Sequence, residues 1–564
     1  MDAIETNSEL ISQPGGLSGA VAPLTEREIR YARLEKLVIG INTGLLVLAF
    51  VALIFLFIVY LIYASSLLRF PFDYDQGEGF ELWDAVLLSQ GHGIYHDNET
   101  YPFYSSNYGP LFPLLLAPLV KIFGPKLWVG RLFSFLTTLV IGGTILWIVR
   151  RETGQRAIAV LVGLAFFAAN IVYQIGPLFR LHMTMVMFGL LGIAFMSRLE
   201  DPRRGRRYLL LGMLFLFLAG YTKQLAFDAV VAGFGFFFLR RPKQAIVCGI
   251  GFIAVVGAVF LAINLVSEGQ WFFNAITANA NPFIPGQTQA LYRQWFQLYT
   301  VGILLACGYV LWTLYFDRIS IYSLYFVAAA AKGILSGKWG AGPGYFVTSI
   351  VAGLICAGIG LGLLQRWLKS RASLERPAPP WQARWRWSSL ALGAAIPLLF
   401  LYQAKLNLHL PLEHPITRPV VKLLNIPSEA SNRFRQSYFD TMGYTQLGHL
   451  PTQEDTQAGW EIVDWIIASS SDGPTWSEEA TFTIRAGQDD VITNPTQLYN
   501  LWNLGRLDVR EMTRMLSERR FGLVVFRAQF YPPPVLETIG QNYDVVAHIQ
   551  MNGFTYALLR PKPR

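Results

Sequence analysis

The stretch PLFPLLLAPLVKIF, Pro110–Phe123, is apolar enough to enter a bilayer, but it holds three prolines in fourteen residues. A helix needs about 20 apolar residues to cross a hydrocarbon layer of about 30 Å, and an interior proline deletes a helical hydrogen bond. The stretch therefore predicts an interfacial or re-entrant helix. Counting it as a span would move every later loop to the other side of the membrane, so the topology of the whole chain turns on it.

On either side of that stretch, apolar runs alternate with short charged loops, most of them long enough for a helix to cross a membrane. Eleven spans are expected, near residues 37–63, 127–149, 157–173, 183–197, 208–221, 225–239, 245–265, 295–316, 319–333, 343–364 and 388–403. This count gathers the basic clusters on one side: Arg150 and Arg151, Arg203 to Arg207, Arg240 to Lys243, Arg318, and the stretch from Arg366 to Arg386. By the positive-inside rule that side is the cytoplasm. The chain divides into a cytoplasmic tail (1–36, disordered and then amphipathic from Glu26), a membrane bundle (37–404) with a large external loop (65–126), and an extracytoplasmic α/β domain (405–564). The run Leu37–Tyr63 is too long for a cleaved signal peptide and reads as a retained first span.

Composition agrees. The 564 residues are 53% hydrophobic and only 15% charged, against about 25% in soluble domains. The net charge of +9 follows from loops that orient the chain in a bilayer, so no nucleic-acid partner is implied. Cys248, Cys307 and Cys356 all fall inside apolar spans and show no ligand or disulfide spacing. No internal repeat is visible. In the polar tail helical and strand patterns interleave: Gly459–Ser469, a strand around Thr481–Arg485, a helix Asp508–Arg519, a strand Phe521–Phe526 and a segment Val535–Asn542. Leu523–Phe526 is the expected core of a small α/β unit.

The external face receives the residues with unusual chemistry. In FDYDQGEGFELWDAV, Asp75 and Glu78 stand three apart across a glycine, suited to a general base or a divalent cation. The plainer reading is an acid-rich helix start favoured by the macrodipole. Arg180 and His182 begin the fourth span, and Lys223 with Gln224 lies at the end of the fifth. Cations at membrane depth cost about 2.5 kcal/mol or more unless paired, so they call for an anionic partner or snorkel to the interface. Lys332 and Lys338 border the glycine-rich GILSGKWGAGPGYF, which can aim amides and an ammonium at an anion, although such turns are common between helices. His92, His96 and His182 are too scattered for a metal site, and Trp271–Phe273 marks an interfacial belt more than a sugar platform. Two carboxylates and several cations on one face suit transfer from a lipid phosphate.

The order DxGE, a helix, GxGIY, YGPLFPLLLAPL, GRLFS, TKQ and GKWGAGPGYF resembles the polyprenyl-phosphate-dependent glycosyltransferases of the GT-C fold, the class of protein mannosyltransferases and aminoarabinose transferases. The resemblance covers residues 37–365 and reaches the tail only loosely. It implies a sugar donor on a polyprenyl phosphate, an extracytoplasmic acceptor (protein, lipid or polysaccharide) and a bacterial plasma membrane. It further implies inverting transfer without a tightly held cofactor, with room for a divalent cation. Asp75 would be the base and Glu78 its partner or orienter. Arg180, His182, Lys223, Gln224 and Lys338 would hold the donor phosphate. Relatives tend to carry Arg-x-Asp where this chain has Arg180-Leu181-His182, and Asn-Tyr-Phe-x-Glu where it has Gly344 to Thr348. Those departures leave two alternatives open: a catalytically silent homologue acting as a scaffold or lipid-binding subunit, and a transporter or flippase of a lipid-linked sugar.

Overall fold

The computed structural model describes residues 26–372, 380–412, 414–425, 449–528 and 530–563. The expected disordered tail, up to residue 25, and the middle of the Arg366–Arg386 basic stretch lie outside the described residues. From Glu26 the charged segment continues without a break into the first span, giving α1 (Glu26–Arg69).

The bundle follows the expected order. After α1 come two external helices, α2 (Glu78–Ser89) and α3 (Leu111–Phe123), then α4 (Leu127–Thr153), α5 (Arg156–Ala168), α6 (Asn170–Ile175), α7 (His182–Met196), α8 (Gly205–Thr222), α9 (Phe227–Arg240), α10 (Pro242–Val266), α11 (Gln270–Ala275), α12 (Pro285–Tyr315), α13 (Ile321–Lys332), α14 (Val347–Ala372) and α15 (Pro380–Leu406). Six of the described segments are long and apolar enough to cross a membrane: 33–69, 127–153, 242–266, 285–315, 343–370 and 388–406. The remaining expected spans are shorter helices packed among these. Burial separates axis from rim: the span containing α14 is 78% buried in its most apolar window and α10 is 0% buried.

Two spans differ in detail from the sequence reading. The third breaks at the extended Ala169 into α5 and α6, where the Asn170 carboxamide oxygen takes the Ile171 N–H at 2.9 Å. Facing it, α12 kinks at Tyr299 (φ −124°), whose hydroxyl reaches the same oxygen at 2.5 Å. A polar joint thus spends two backbone breaks on one buried hydrogen-bond cluster, which a hydropathy pattern does not register.

Helix α3 has 13 residues, about 20 Å of helix, too short to cross. Phe112, Leu116 and Val120 pack on Leu82, Trp83 and Val86 of α2, while Leu114, Leu115, Ile122 and Phe123 face outward, as an interfacial helix requires. The basic loops gather at the opposite end of the bundle. There Glu200 faces Arg240 (3.5 Å) and Arg318 (3.6 Å), Arg151 donates to Tyr322 (2.7 Å), and Lys369 donates to Gln155 (3.1 Å).

After α16 (Arg418–Leu423), the C-terminal part carries α17 (Gln453–Ala468), α18 (Ala480–Arg485), α19 (Pro495–Asn503), α20 (Arg510–Ser517) and α21 (Pro533–Asn542) around a four-stranded sheet. The strands are β1 (Thr475–Ser477), β2 (Leu523–Phe526), β3 (Tyr543–Met551) and β4 (Phe554–Pro561), in the order β1-β2-β4-β3. β1 runs parallel to β2; β4 runs antiparallel to both β2 and β3. β2 is buried throughout, as Leu523–Phe526 promised. The strand expected at Thr481–Arg485 is instead the short helix α18. Its alternating pattern fits either period, and docking decides: Thr481 and Thr483 are both buried, and the Ala480 backbone lies against Gly79 of α2, where a Cβ would come within 3.0 Å.

The external loop is pinned to this domain. Phe103 donates its N–H to Val491 O at 3.0 Å, Ser105 N–H reaches Thr493 Oγ1 at 2.7 Å, and the Tyr104 hydroxyl donates to Asp490 O at 2.7 Å.

Candidate functional site at the cavity between bundle and C-terminal domain

The acidic loop is held from behind. Arg131, from GRLFS in α4, is fully buried; its guanidinium donates to the carbonyls of Leu67, Phe70 and Phe72 and grips Glu78 through Nε (2.8 Å) and Nη2 (2.7 Å). Glu78 also accepts the N–H groups of Tyr74 (2.9 Å) and Phe179 (2.8 Å). A carboxylate with this many donors stays ionised, and its acidity is raised by Arg131 and the amides against the cost of burial. Glu78 does not line the cavity. It fastens the acidic loop and the Phe179–Arg180 loop to one arginine.

Gly77, between the two acids, has φ +109°, and a Cβ there would collide with the Arg180 guanidinium. Glycine is required on both counts. Arg180 can therefore lie along the turn, with Nε 3.0 Å from Asp75 Oδ2. Gly109 serves the same end on the other side, since a Cβ there would strike the Tyr221 carbonyl. The close approach sets the Tyr108 ring 4.4 Å from Lys223 Nζ. Lys223 Nζ also lies 2.8 Å from His182 Nε2, a hydrogen bond between the two side chains. Burial and the neighbouring Arg180 hold Lys223 well below the ordinary lysine range, and burial lowers Lys338 as well.

Asp75, Arg180, His182, Lys223, Gln224 and Lys338 all line one cavity of about 490 Å³. Its remaining wall comes from the glycine-rich turn, the segment following α11, and the C-terminal domain through Gln497, Asn500 and Phe530. Of the eight residues singled out in the sequence, all but Glu78 and Lys332 thus converge. Lys332, six residues before Lys338, does not: its Nζ is 2.6 Å from Asp228 and 2.9 Å from the Thr348 hydroxyl, all three buried.

Both positions that depart from the resemblance have neighbours in this structure. Where relatives place Glu, Thr348 shares Lys332 with Asp228, so the charge balance is met from α9. Where relatives place Asp and Asn, His182 and Gly344 are neighbours: a Cβ on Gly344 would sit 3.6 Å from the imidazole.

One acid was passed over. Glu81, one turn beyond Glu78 on α2, is buried, and burial pushes its carboxyl up to about 7 while Arg180 and Lys223 pull it down. Its i+3 spacing from Glu78 was the available signal. Among the described residues, no group of three or more His, Cys, Asp or Glu gathers as a metal site.

The dolichyl-phosphate-mannose-protein mannosyltransferase family matches residues 107–267, a stretch that includes Arg131, Arg180, Lys223 and Gln224. No curated protein matches in sequence. Among solved structures, ArnT from Cupriavidus metallidurans in the apo state aligns at 14% identity and TM-score 0.54, covering 90% of this chain and 97% of that one. The same protein bound to undecaprenyl phosphate aligns at 15% identity and TM-score 0.52 with the same coverage. The apo oligosaccharyltransferase of Archaeoglobus fulgidus aligns at 10% identity and TM-score 0.50, covering 89% of this chain and 73% of that one. The chain is an integral membrane protein of the GT-C fold, the fold of the polyprenyl-phosphate-dependent glycosyltransferases that its sequence resembles.

Proposed function

We propose that this protein transfers a sugar from a polyprenyl-phosphate donor to an acceptor hydroxyl or amide outside the cytoplasm, with inversion at the anomeric carbon. The observation that carries the reading is the lining of one cavity, beside the C-terminal domain, by one carboxylate, Asp75, and three cations, Arg180, Lys223 and Lys338.

Attack by the acceptor forms a bond to the anomeric carbon as the bond from that carbon to the phosphate oxygen breaks. The acceptor proton passes to Asp75, and the polyprenyl phosphate departs with the electron pair. A phosphate leaves as a stable anion and needs cations more than an acid, which is the work of Arg180, Lys223 and Lys338. Arg180 lies 3.0 Å from Asp75 Oδ2 and brings a guanidinium charge to the phosphate. Donor phosphate contacts through a neutral His182 are confined to whichever ring nitrogen Lys223 does not occupy.

The orientation follows: the basic end of the bundle faces the cytoplasm and the cavity opens outside it. Incubating the purified full-length protein with radiolabelled undecaprenyl-phosphate sugars tests the assignment. Release of undecaprenyl phosphate from one or more of them, by transfer or slow hydrolysis, is expected. Movement of intact donor across liposome membranes without bond cleavage would replace the assignment with a transporter.

A further inference from the structure

The cavity has a second pole, built from carboxamides, whose chemistry can be read from what their nitrogens are doing. A backbone carbonyl only accepts, so a side-chain amide bonded to one must present its NH2 there. Gln287 Nε2 donates to the carbonyls of Ser336 (2.6 Å), Lys338 (3.0 Å) and Ala341 (2.9 Å). Asn279 Nδ2 donates to those of Asn107 and Ala275, both at 2.9 Å, and Gln224 Nε2 to the same two at 3.4 and 3.2 Å. Asn281 Nδ2 donates to Trp339 O at 2.7 Å. Asn500 Nδ2 donates to Ala278 O at 3.0 Å and to Asn281 Oδ1 at 2.8 Å. Gln497 is fixed at one remove. Asn274 gives its nitrogen to the His96 and Gln270 carbonyls, so its oxygen must accept from Gln497 Nε2, at 3.0 Å.

Six of these amides, Gln224, Asn279, Asn281, Gln287, Gln497 and Asn500, line the cavity with their donor ends tied into its walls. What they have left to offer is carbonyl oxygen, although Asn281 Oδ1 already accepts from Asn500 at 2.8 Å and Gln497 Oε1 takes one long bond, 3.5 Å, from Asn494 Nδ2. Asn500 states the demand most sharply: it is 1% exposed, and its Oδ1 has no hydrogen-bond partner among the described residues. A buried acceptor left bare costs about 1–3 kcal/mol, so such an atom calls for a donor that arrives with the ligand. The cavity is therefore polarised, with cations for an anion and neutral acceptors for a group rich in O–H or N–H.

We infer that this carboxamide wall is the sugar-selecting surface of the donor site, that Asn500 and Gln497 of the C-terminal domain are its specificity-determining residues, and that it takes a sugar bearing free hydroxyl or amino groups and rejects one bearing a carboxylate. The inference rests on the phosphate-linked donor proposed above. A sugar joined by one bond to a phosphate held by Arg180, Lys223 and Lys338 lies in the same cavity as these oxygens. A hydroxyl or ammonium donates to them; a carboxylate meets acceptors with no proton between them. Gln224 accordingly belongs to the sugar side, since its NH2 is already spent.

Binding to the full-length protein in nanodiscs tests this with four probes: undecaprenyl phosphate, its glucosyl and mannosyl phosphodiesters, and the glucuronosyl phosphodiester. The better neutral sugar should bind at least about tenfold tighter than the glucuronosyl form, the worth of about one hydrogen bond. N500L should lose that advantage while keeping wild-type affinity for undecaprenyl phosphate. A glucuronosyl form that binds as tightly as the better neutral one overturns the inference, as does N500L with undiminished preference. Should N500L fail to fold, the wild-type comparison of neutral and acidic sugars still decides. Failure of undecaprenyl phosphate itself to bind marks a different fault, the loss of the phosphate-donor reading, and the inference falls with it.

Discussion

Asp75 and Arg180 hold each other at 3.0 Å at the mouth of a cavity whose other cations, Lys223 and Lys338, are held below the ordinary lysine range. An anion entering this site favours the charged form of both lysines, so donor binding and lysine protonation are linked. Lys338→Met should therefore weaken undecaprenyl-phosphate binding about tenfold or more, read by titration in nanodiscs, with little change in melting temperature. Glu81 adds a pH dependence. Its carboxyl, at about 7, is neutral below that pH and above it places a negative charge near Arg180 and Lys223. Glu81→Gln should bind undecaprenyl phosphate like the wild type below about pH 6 and about three- to tenfold more tightly above about pH 8, because only the wild type acquires the opposing charge. The same carboxyl lowers fold stability as pH rises from the unfolded value of 4.5 through about 7, because the folded state keeps the proton longer. Equal affinities across that range would remove Glu81 from the site's electrostatics. Residue types and spacing were enough to single out Asp75, Arg180, His182 and Lys223. They could not separate Lys338, which lines the cavity, from Lys332, whose partner Asp228 lies about a hundred residues earlier, on α9.

Arg131 and Glu78 act at the level of elements, tying the end of α1, the start of α2 and the loop before α7 to α4. Arg131→Met would strand the Glu78 carboxylate in a dry interior and should cost about 3–5 kcal/mol, seen as a lowered melting temperature in detergent. E78M together with R131M should recover part of that loss, because an apolar pair leaves no buried charge. A single R131M protein as stable as the wild type would mean that the loop is held otherwise. In the sequence GRLFS is only part of a pattern, since nothing in five residues reveals that its arginine reaches back 53 positions to an acid. The tail shows the same limit in its strands. β2 was legible as an unbroken apolar run, whereas β3 is largely exposed and its pattern is weak. The turn between β3 and β4 did carry a signal, Asn552-Gly553, both at positive φ (52° and 79°) as a tight hairpin requires. At α18 the alternation in ATFTIR misled, because docking against α2 outweighed a six-residue preference.

For the molecule as a whole, hydrocarbon thickness is the strictest constraint, and it made the spans readable. Six of them pass on length and apolarity; the shorter ones were found because charge had to alternate. What hydropathy could not foresee is that the C-terminal domain completes the cavity. In a chain whose three cysteines are replaced by serine, His92→Cys should be labelled by a membrane-impermeant maleimide on intact cells, and Arg203→Cys only after permeabilisation. The reverse pattern would invert the proposed orientation. The most direct measurement compares purified wild type and Asp75→Asn with the undecaprenyl-phosphate sugar that the wild type turns over, recording donor affinity and turnover separately. Asp75→Asn should bind that donor within about threefold of the wild type and lose about 10²-fold or more in turnover, as expected when a positioned base is removed. Undiminished turnover in Asp75→Asn would contradict the role of this carboxylate and of the cavity built around it.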